Sequence, residues 1–207
     1  VPFGPFHPTL DEPAHFRLFV EGEGVRGCEY RGFMVHRGIE KLADSVLTYN
    51  EIPLLAERVC GICSHSHTTV FVTGIEEAMQ LAVPPRAQYI RTIVAALERM
   101  HSHILWLGVA AHVVGFNTLF MWTWRDRETT QDILEEMTGN RMNYGIDEVG
   151  GVRRDLSPGQ ISAALARLPK LEEQIGKYVD MVKSQETMLL RIPTIGNLSQ
   201  AQALTYG

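Results

Sequence analysis

The chain of 207 residues is long enough to bury a sizeable core, and its 45% hydrophobic and 21% charged residues are those of an ordinary globular protein. A formal net charge of −5, without any basic run, argues against a nucleic acid as partner. Three cysteines are too few for a secreted disulfide framework, so a reducing compartment fits better.

The first 50 residues predict a small antiparallel hairpin and a short helix. Residues 15–20 alternate in hydrophobicity, the next four residues (Glu-Gly-Glu-Gly) supply a turn, and residues 25–35 return as a second strand. Residues 38–49 then place apolar side chains on one face of a helix. We therefore expect a β-hairpin over about residues 15–35.

Three helices are predicted in the middle of the chain. Apolar residues at helical spacing cover residues 68–80, 86–114 and 117–138, and Gly139 is typical of a helix C-cap. The longest of the three also carries a row of titratable residues, each of which is a weak signal for a site: Arg91, Glu98, Arg99, His101 and His103.

The C-terminal part predicts a loop and further helix. Residues 144–152 are punctuated by glycine and predict a loop, after which the pair Ser157-Pro158 is typical of a helix start. Pro169 predicts that this helix breaks or restarts, with a last long helix over residues 169–190. The predicted fold class is therefore mainly α (α+β), a helical bundle with a small N-terminal antiparallel β-hairpin.

One apolar stretch raises the question of a membrane span. Residues 104–121 are long enough to cross a bilayer, but His112 and Asn117 interrupt them. Gly115 marks a plausible break between the two. A buried core helix followed by a turn is therefore the preferred interpretation.

Two of the three cysteines lie in one segment, residues 57–67, which reads Glu-Arg-Val-Cys-Gly-Ile-Cys-Ser-His-Ser-His. Cys60 and Cys63 stand at or just before a predicted helix start, where free N–H groups and the helix dipole favour thiolate over thiol. A thiolate pair at this spacing can hold one soft metal or form one redox disulfide. His67 lies one helical turn after Cys63, on the same face.

Four interpretations of this segment differ in what they require. Zinc would need a fourth ligand beyond Cys60, Cys63 and His67, and the chain has no second CxxC or HxxxH. A thioredoxin-type redox pair belongs in a βαβ setting, whereas the chain after Cys63 is predicted to be helical. Two core cysteines with a capping histidine would be a chance grouping of thiols and histidines. A redox-metal site is the preferred interpretation, and the others stay open.

Three further residues have predicted environments. Glu21 ends an apolar strand, where burial would raise its pKa and suit a proton carrier, although an exposed turn carboxylate is the alternative. His65 is expected to face solvent or a cluster rather than to act as a ligand. Cys28 has no partner cysteine nearby and is predicted to lie in the core.

These residues resemble a known family. Residues 58–63 (Arg-Val-Cys-Gly-Ile-Cys), with a histidine four residues on, are similar to the N-terminal metal motif of nickel–iron hydrogenase large subunits. Other segments resemble the membrane-bound, energy-converting branch of the formate hydrogenlyase type: His7-Pro8 and residues 19–23, 36–41, 86–91 and 150–155. That branch is homologous to the 49 kDa subunit of respiratory complex I, whose quinone-reducing members generally lack the cysteines. The likeness covers essentially the whole chain.

The resemblance implies a site that reduces protons or oxidises H₂. It implies that Cys60 is a terminal nickel ligand and that Cys63 bridges nickel to an iron carrying CO and cyanide. His67 would hydrogen-bond the bridging sulfur, and Glu21 would take the proton from Cys60. The family completes this Ni–Fe centre with a C-terminal CxxC that is not in this chain.

The resemblance also sets expectations for organisation and partners. Residues 1–207 would be the N-terminal part of a hydrogenase large-subunit domain, with its helical bundle over about residues 38–207, present as a fragment or as one piece of a divided subunit. The fragment alone would be inactive. The partners would be an iron–sulfur small subunit with its cluster and further complex I-like subunits, including membrane subunits, with the assembly on the cytoplasmic face of the cell membrane. The alternatives are a quinone- or sulfur-linked oxidoreductase subunit and a non-catalytic scaffold.

Overall fold

A computed structural model describes residues 1–8, 10, 12–193 and 196–207 of the chain. It forms two compact units, Val1–Leu47 and Thr48–Gly207. That both belong to one larger large-subunit domain stays a prediction. Each unit is described separately below.

The N-terminal unit is built on a three-stranded antiparallel sheet in the order β1-β2-β3. Its strands are β1 (Pro2–Phe3), β2 (His15–Glu21) and β3 (Gly24–Arg31), followed by the helix α1 (Ile39–Ser45). The turn from β2 to β3 contains Gly22 at φ 60°, a left-handed conformation that glycine adopts without strain. The predicted hairpin is therefore confirmed, with β1 as an additional strand paired to β2.

The second unit is mostly helical. Its elements in chain order are α2 (Ile52–Ala56), α3 (Ser64–Met79), α4 (Pro85–Val113), α5 (Asn117–Thr138), β4 (Asp147–Glu148), β5 (Gly151–Val152), α6 (Pro158–Ser184), α7 (Glu186–Arg191) and α8 (Gln200–Tyr206). The mainly α fold class with a small N-terminal sheet is confirmed.

The antiparallel pair α4 and α5 forms the centre of this unit. Apolar side chains at helical spacing on α4 meet the inner face of α5 in one buried cluster that includes Ile90, Val94, Leu97, Ile133, Leu134 and Met137. The two helices approach closely at Gly108, where an added Cβ would lie 2.4 Å from the hydroxyl of Thr123. Close packing here makes α4 a rigid support for the residues that it carries.

Two elements differ from the sequence prediction. Pro169 does not break α6, which runs on from Pro158 to Ser184. The proline is exposed, as is Leu165 one turn earlier, so a carbonyl left without its helical partner can face water. The predicted loop at residues 144–152 contains the short antiparallel pair β4–β5, in which Asp147 is opposite Val152.

The apolar stretch at residues 104–121 is divided between two helices. α4 ends at Val113, Gly115 takes φ 83°, and α5 begins at Asn117. In the described part of the chain, no helix combines the length and the hydropathy that a bilayer crossing needs. The interpretation of this stretch as a core helix followed by a turn agrees with these bounds.

Candidate metal centre

Cys60 and Cys63 lie between α2 and α3, and Cys63 is the N-cap residue of α3. His67 follows one turn into that helix. The two thiol sulfurs and one imidazole nitrogen all lie within 4.8 Å of one another, and each of the three residues is half-buried. Both cysteines are free thiols. The sequence spacing therefore becomes a cluster of three donor atoms, two of them soft sulfur, around which one metal ion can be held.

The two thiols have different acidities. Burial alone would raise the pKa of Cys60, but hydrogen bonds involving the Cys63 thiol and the backbone at Ile62 and Cys63 outweigh it and leave this pKa below its usual value. Burial, together with the hydrogen bond to Cys60, raises the pKa of Cys63. The expectation that both thiols favour thiolate is therefore wrong for Cys63, and the lowered pKa of Cys60 comes from hydrogen bonds.

A carboxylate on α4 contacts the first turn of α3. Glu98 is 2% exposed and accepts hydrogen bonds from the backbone N–H groups of His65, at 2.6 Å, and Ser66, at 3.1 Å. The hydroxyls of Ser64 and Ser66 also donate to it, at 3.3 and 2.7 Å. The sequence alone shows Glu98 only as one of several titratable residues on the longest helix, because its partners lie more than 30 positions away.

His65 is fully buried, so the prediction that it faces solvent is wrong, and it lies outside the three-donor cluster. Its Nε2 lies 2.9 Å from the carbonyl oxygen of Arg91, and its Nδ1 lies 3.5 Å from the carboxylate of Asp147. Asp147 comes from β4, within the segment predicted to be a loop. Two residues apart on one helix, His65 and His67 face different sides, as the helical period predicts. The sequence does not show which distant residues pack against His65.

Asp147 belongs to a buried charged cluster that fastens β4 and β5 to the helices. Arg91 donates two hydrogen bonds to Glu76, at 3.0 and 2.7 Å, and others to backbone carbonyls of the β4–β5 segment. Hydrogen bonding to Arg91 lowers the pKa of Glu76, whereas burial raises the pKa of Asp147. The hydroxyl of Thr69 donates to Asp147 at 2.8 Å.

A second buried polar group contains His101. Its Nδ1 lies 3.3 Å from the guanidinium of Arg127, and its Nε2 lies 3.1 Å from the hydroxyl of Tyr144. Burial, and then the charge of Arg127, lower the pKa of His101 to about 4. This imidazole is therefore neutral at pH 7.

The loop before the cysteines is also fastened from inside. Glu57 is 1% exposed and accepts the backbone N–H of Gly145 at 2.6 Å, while Arg58 donates to it at 3.1 Å. Burial raises the pKa of Glu57 despite both contacts. The segment from α2 to α3 is therefore held at both ends by buried carboxylates, Glu57 and Glu98.

The remaining predicted residues belong to the N-terminal unit. Glu21 ends β2, its side chain is 73% exposed, and it pairs with Arg26 at 2.7 Å. Glu21 is therefore an exposed carboxylate at the turn, which was the alternative to a buried proton carrier. Cys28 is exposed on β3 rather than buried, so the prediction of a core cysteine is wrong. The small three-stranded sheet, whose strand β1 has only two residues, buries little on either face, which explains both outcomes.

Several curated relatives of this chain are hydrogenase subunits. The chain is 46% identical over 198 residues to formate hydrogenlyase subunit 5 of Escherichia coli (strain K12), covering 96% of this chain and 35% of that protein. It is 38% identical over 207 residues to the membrane-bound hydrogenase subunit alpha of Pyrococcus furiosus, covering 100% of this chain and 48% of that protein. The chain thus spans between a third and a half of these curated relatives.

A solved structure and two family models add to this. A chain in the structure of the membrane-bound sulfane sulfur reductase, an archaeal respiratory membrane complex, shares the fold with a TM-score of 0.84 at 24% identity, covering 95% of this chain and 52% of that one. The model of the 49 kd subunit of respiratory-chain NADH dehydrogenase matches residues 113–207. The model of the nickel-dependent hydrogenases matches residues 37–157, more than half of the chain and all of the donor cluster. The chain therefore belongs to the nickel-dependent hydrogenase family.

Proposed function

We propose that this chain provides the first half of the metal site in the large, catalytic subunit of a membrane-associated hydrogenase, an oxidoreductase that reduces protons to H₂ or oxidises H₂. The observation that carries the proposal is the cluster of Cys60, Cys63 and His67 at the start of α3. Its position within the matched family segment supports the assignment.

The donor atoms fit nickel. Thiolates are soft ligands that favour soft, redox-active metals, and the two sulfurs are close enough to share one ion. We assign Cys60 as a terminal nickel ligand and Cys63 as a bridge to an iron that carries CO and cyanide. Two further thiolates would come from a C-terminal CxxC outside this chain. When bound, this Ni–Fe centre would supply the redox chemistry that interconverts H₂ with protons and electrons.

The chain's own residues hold ligands and move protons. We assign Cys60 as the sulfur that holds a proton during turnover. We assign His67 a hydrogen bond to the sulfur of Cys63, which orients that sulfur and tunes the metal. We assign Glu21 the step that carries the proton away from Cys60. This assignment rests on the resemblance, since the side chain of Glu21 is 73% exposed in this chain rather than buried.

The partners follow from the same proposal. Electrons would pass through an iron–sulfur cluster held by a small subunit. Further complex I-like subunits, including membrane subunits, would place the assembly on the cytoplasmic face of the cell membrane. The names of the relatives support a subunit role, since one is subunit 5 of formate hydrogenlyase and another is subunit alpha of a membrane-bound hydrogenase.

A second candidate is a complex I-like oxidoreductase subunit linked to quinone or sulfur. The match of the 49 kd subunit model to residues 113–207 favours it. That match lies outside the cysteine pair, whereas the nickel-dependent hydrogenase match includes it. The intact pair of thiols therefore favours hydrogenase.

Metal analysis of the purified full complex tests the proposal. We expect nickel in the wild type and its loss in Cys60→Ser and Cys63→Ser, because a hydroxyl is a poor ligand for soft nickel. Cys28→Ser is the matched control, since Cys28 is exposed on β3 and lies outside the donor cluster. A wild-type complex with both cysteines intact and no nickel would contradict the proposed function.

A further inference from the structure

The helix that carries the metal motif begins without a cap of its own. Cys63 occupies the N-cap position of α3, and its side chain makes no capping hydrogen bond. The first N–H groups of any helix have no partner within the helix and need one from elsewhere. For α3 this need arises next to the candidate metal ligands.

Glu98 meets this need from another helix. Its Oε1 accepts the N–H of His65 at 2.6 Å, and its Oε2 accepts the N–H of Ser66 at 3.1 Å. The two oxygens also accept the hydroxyls of Ser64 and Ser66. One carboxylate, only 2% exposed, therefore receives four hydrogen bonds from three consecutive residues. Carboxylates at helix N-termini make short, strong bonds of this kind.

The contact restrains the start of α3 more than capping alone requires. Glu98 stands in the middle of α4, whose adjacent residues Val94 and Leu97 are buried in the core against α5. The single hydroxyl proton of Ser64 is shared between Glu98 and the carbonyl oxygen of Met142. The first turn of α3 is thereby tied to two separate parts of the fold, and Cys63 immediately precedes it.

We propose that Glu98 is a positioning residue for the metal centre. Its carboxylate fixes the first turn of α3 and thereby sets the sulfur of Cys63 and the imidazole of His67 in the arrangement that binds the metal. The identity of the metal as nickel rests on the proposed function above. Glu98 itself is not part of the three-donor cluster.

Glu76 provides a matched control on the same helix. It is also a buried carboxylate, 5% exposed, and it accepts three hydrogen bonds, two from Arg91 and one from the N–H of Gly150. It lies at the other end of α3, three turns from the cysteines. Glu76→Gln therefore disturbs a comparable buried polar contact without touching the first turn.

The experiment compares Glu98→Gln and Glu76→Gln in the full complex. In Glu98→Gln, amide hydrogen exchange at His65 and Ser66 should accelerate roughly 10-fold or more, because the amide group of glutamine cannot accept all four hydrogen bonds. Affinity for Ni²⁺ added to the metal-free complex should fall about 10-fold, the scale seen when a residue that orients a metal ligand is lost. The thiolate-to-nickel absorption of the loaded protein should also shift. Glu76→Gln should leave all three readouts as in the wild type.

Ser66→Ala keeps the test decisive if Glu98→Gln does not fold. Ser66 is exposed, and the substitution removes a single hydroxyl donor to Glu98. It should accelerate exchange at His65 by about threefold, the effect of one ordinary hydrogen bond. Unchanged amide exchange at His65 and Ser66 in the Glu98→Gln complex would overturn the role of Glu98. An equal loss of nickel affinity in Glu98→Gln and Glu76→Gln would overturn it as well. Absence of nickel from the wild type would instead overturn the proposed function.

Discussion

The donor cluster and Glu21 lie in regions that the fold builds in opposite ways. Around the cysteines, the neighbouring polar side chains are buried, and Glu57, His65 and Glu98 are each 2% exposed or less. Glu21 stands at the end of a hairpin strand with 73% of its side chain exposed. Metal ligands need positions fixed to fractions of an ångström, which the buried contacts around the cysteines can provide. The exposed end of the hairpin gives Glu21 a much less restrained setting.

Arg91→Gln should have the largest effect on stability. It would leave Glu76 and Asp147, whose carboxylates lie 2.7 and 3.6 Å from the guanidinium and which are 5% and 2% exposed, buried without their cation. Breaking a buried ion pair from one side costs about 3–5 kcal/mol, so denaturant unfolding of the full-length subunit should shift by that amount. Arg86→Gln is the control, because Arg86 makes a 2.7 Å pair with Asp155 in which both side chains are more than 60% exposed. Equal shifts in the two variants would show that the buried contacts of Arg91 contribute no more to stability than an exposed ion pair does.

His101 should make the same region sensitive to acid. Its pKa is about 4 in the folded chain, against an ordinary value of 6.5, so the unfolded chain binds more protons between these pH values. The stability that this histidine contributes is complete above pH 6.5 and is lost as the pH falls towards 4. The total is on the order of 3 kcal/mol.

The buried acids complicate the raw pH profile. Burial raises the pKa of Glu57 and of Asp147, so these groups favour the folded state as the pH falls and act against the effect of His101. The quantity to measure is therefore the difference in unfolding free energy between wild type and His101→Gln at each pH. That difference should decrease from pH 7 to pH 4. A difference independent of pH would show that His101 does not remain neutral beside Arg127 and Tyr144.

The sequence predicted best what is local. The donor cluster needs only eight residues, from Cys60 to His67, and one helical turn brings them together. The bounds of α5 were also predictable, because Gly139 takes the left-handed conformation typical of a helix end. These features depend on spacing and backbone preference, which a single sequence displays.

The support of the cluster was not predictable in this way. Glu98 meets His65 across 33 positions, and Asp147 meets Thr69 across 78. Neither pairing leaves a periodic signal, since each depends on how helices and the short strands pack. Pro169 is a case in which the local preference misled. It predicted a break, but the long helix α6 continues through this water-exposed proline.

Glu21→Gln tests the exposed end of the hairpin through activity rather than stability. Glutamine keeps the volume and removes the titratable proton, so nickel should be retained while H₂ turnover falls by roughly 10², the scale for loss of an acid–base group. Glu23→Gln, two residues along in the same hairpin turn, is the control and should turn over normally. Near-normal H₂ evolution by the nickel-loaded Glu21→Gln complex would remove Glu21 from the proton path. His67 would then be the next candidate.

Arg26→Gln should have the smallest effect on stability. It tests whether the side chain of Glu21 stays exposed in the full-length protein. The pair between Arg26 and Glu21 has a short distance, 2.7 Å, but the side chains are 70% and 73% exposed. Water screens such a pair, and exposed ion pairs contribute about 0–1 kcal/mol. The unfolding free energy of the full-length subunit should therefore change by less than about 0.5 kcal/mol, as it should in Arg17→Gln, which breaks the similarly exposed pair with Glu29 on the same two strands. A loss of several kcal/mol in Arg26→Gln alone would mean that Glu21 is enclosed in the complete protein. In that case the proton carrier would share the buried, rigid setting of the metal ligands.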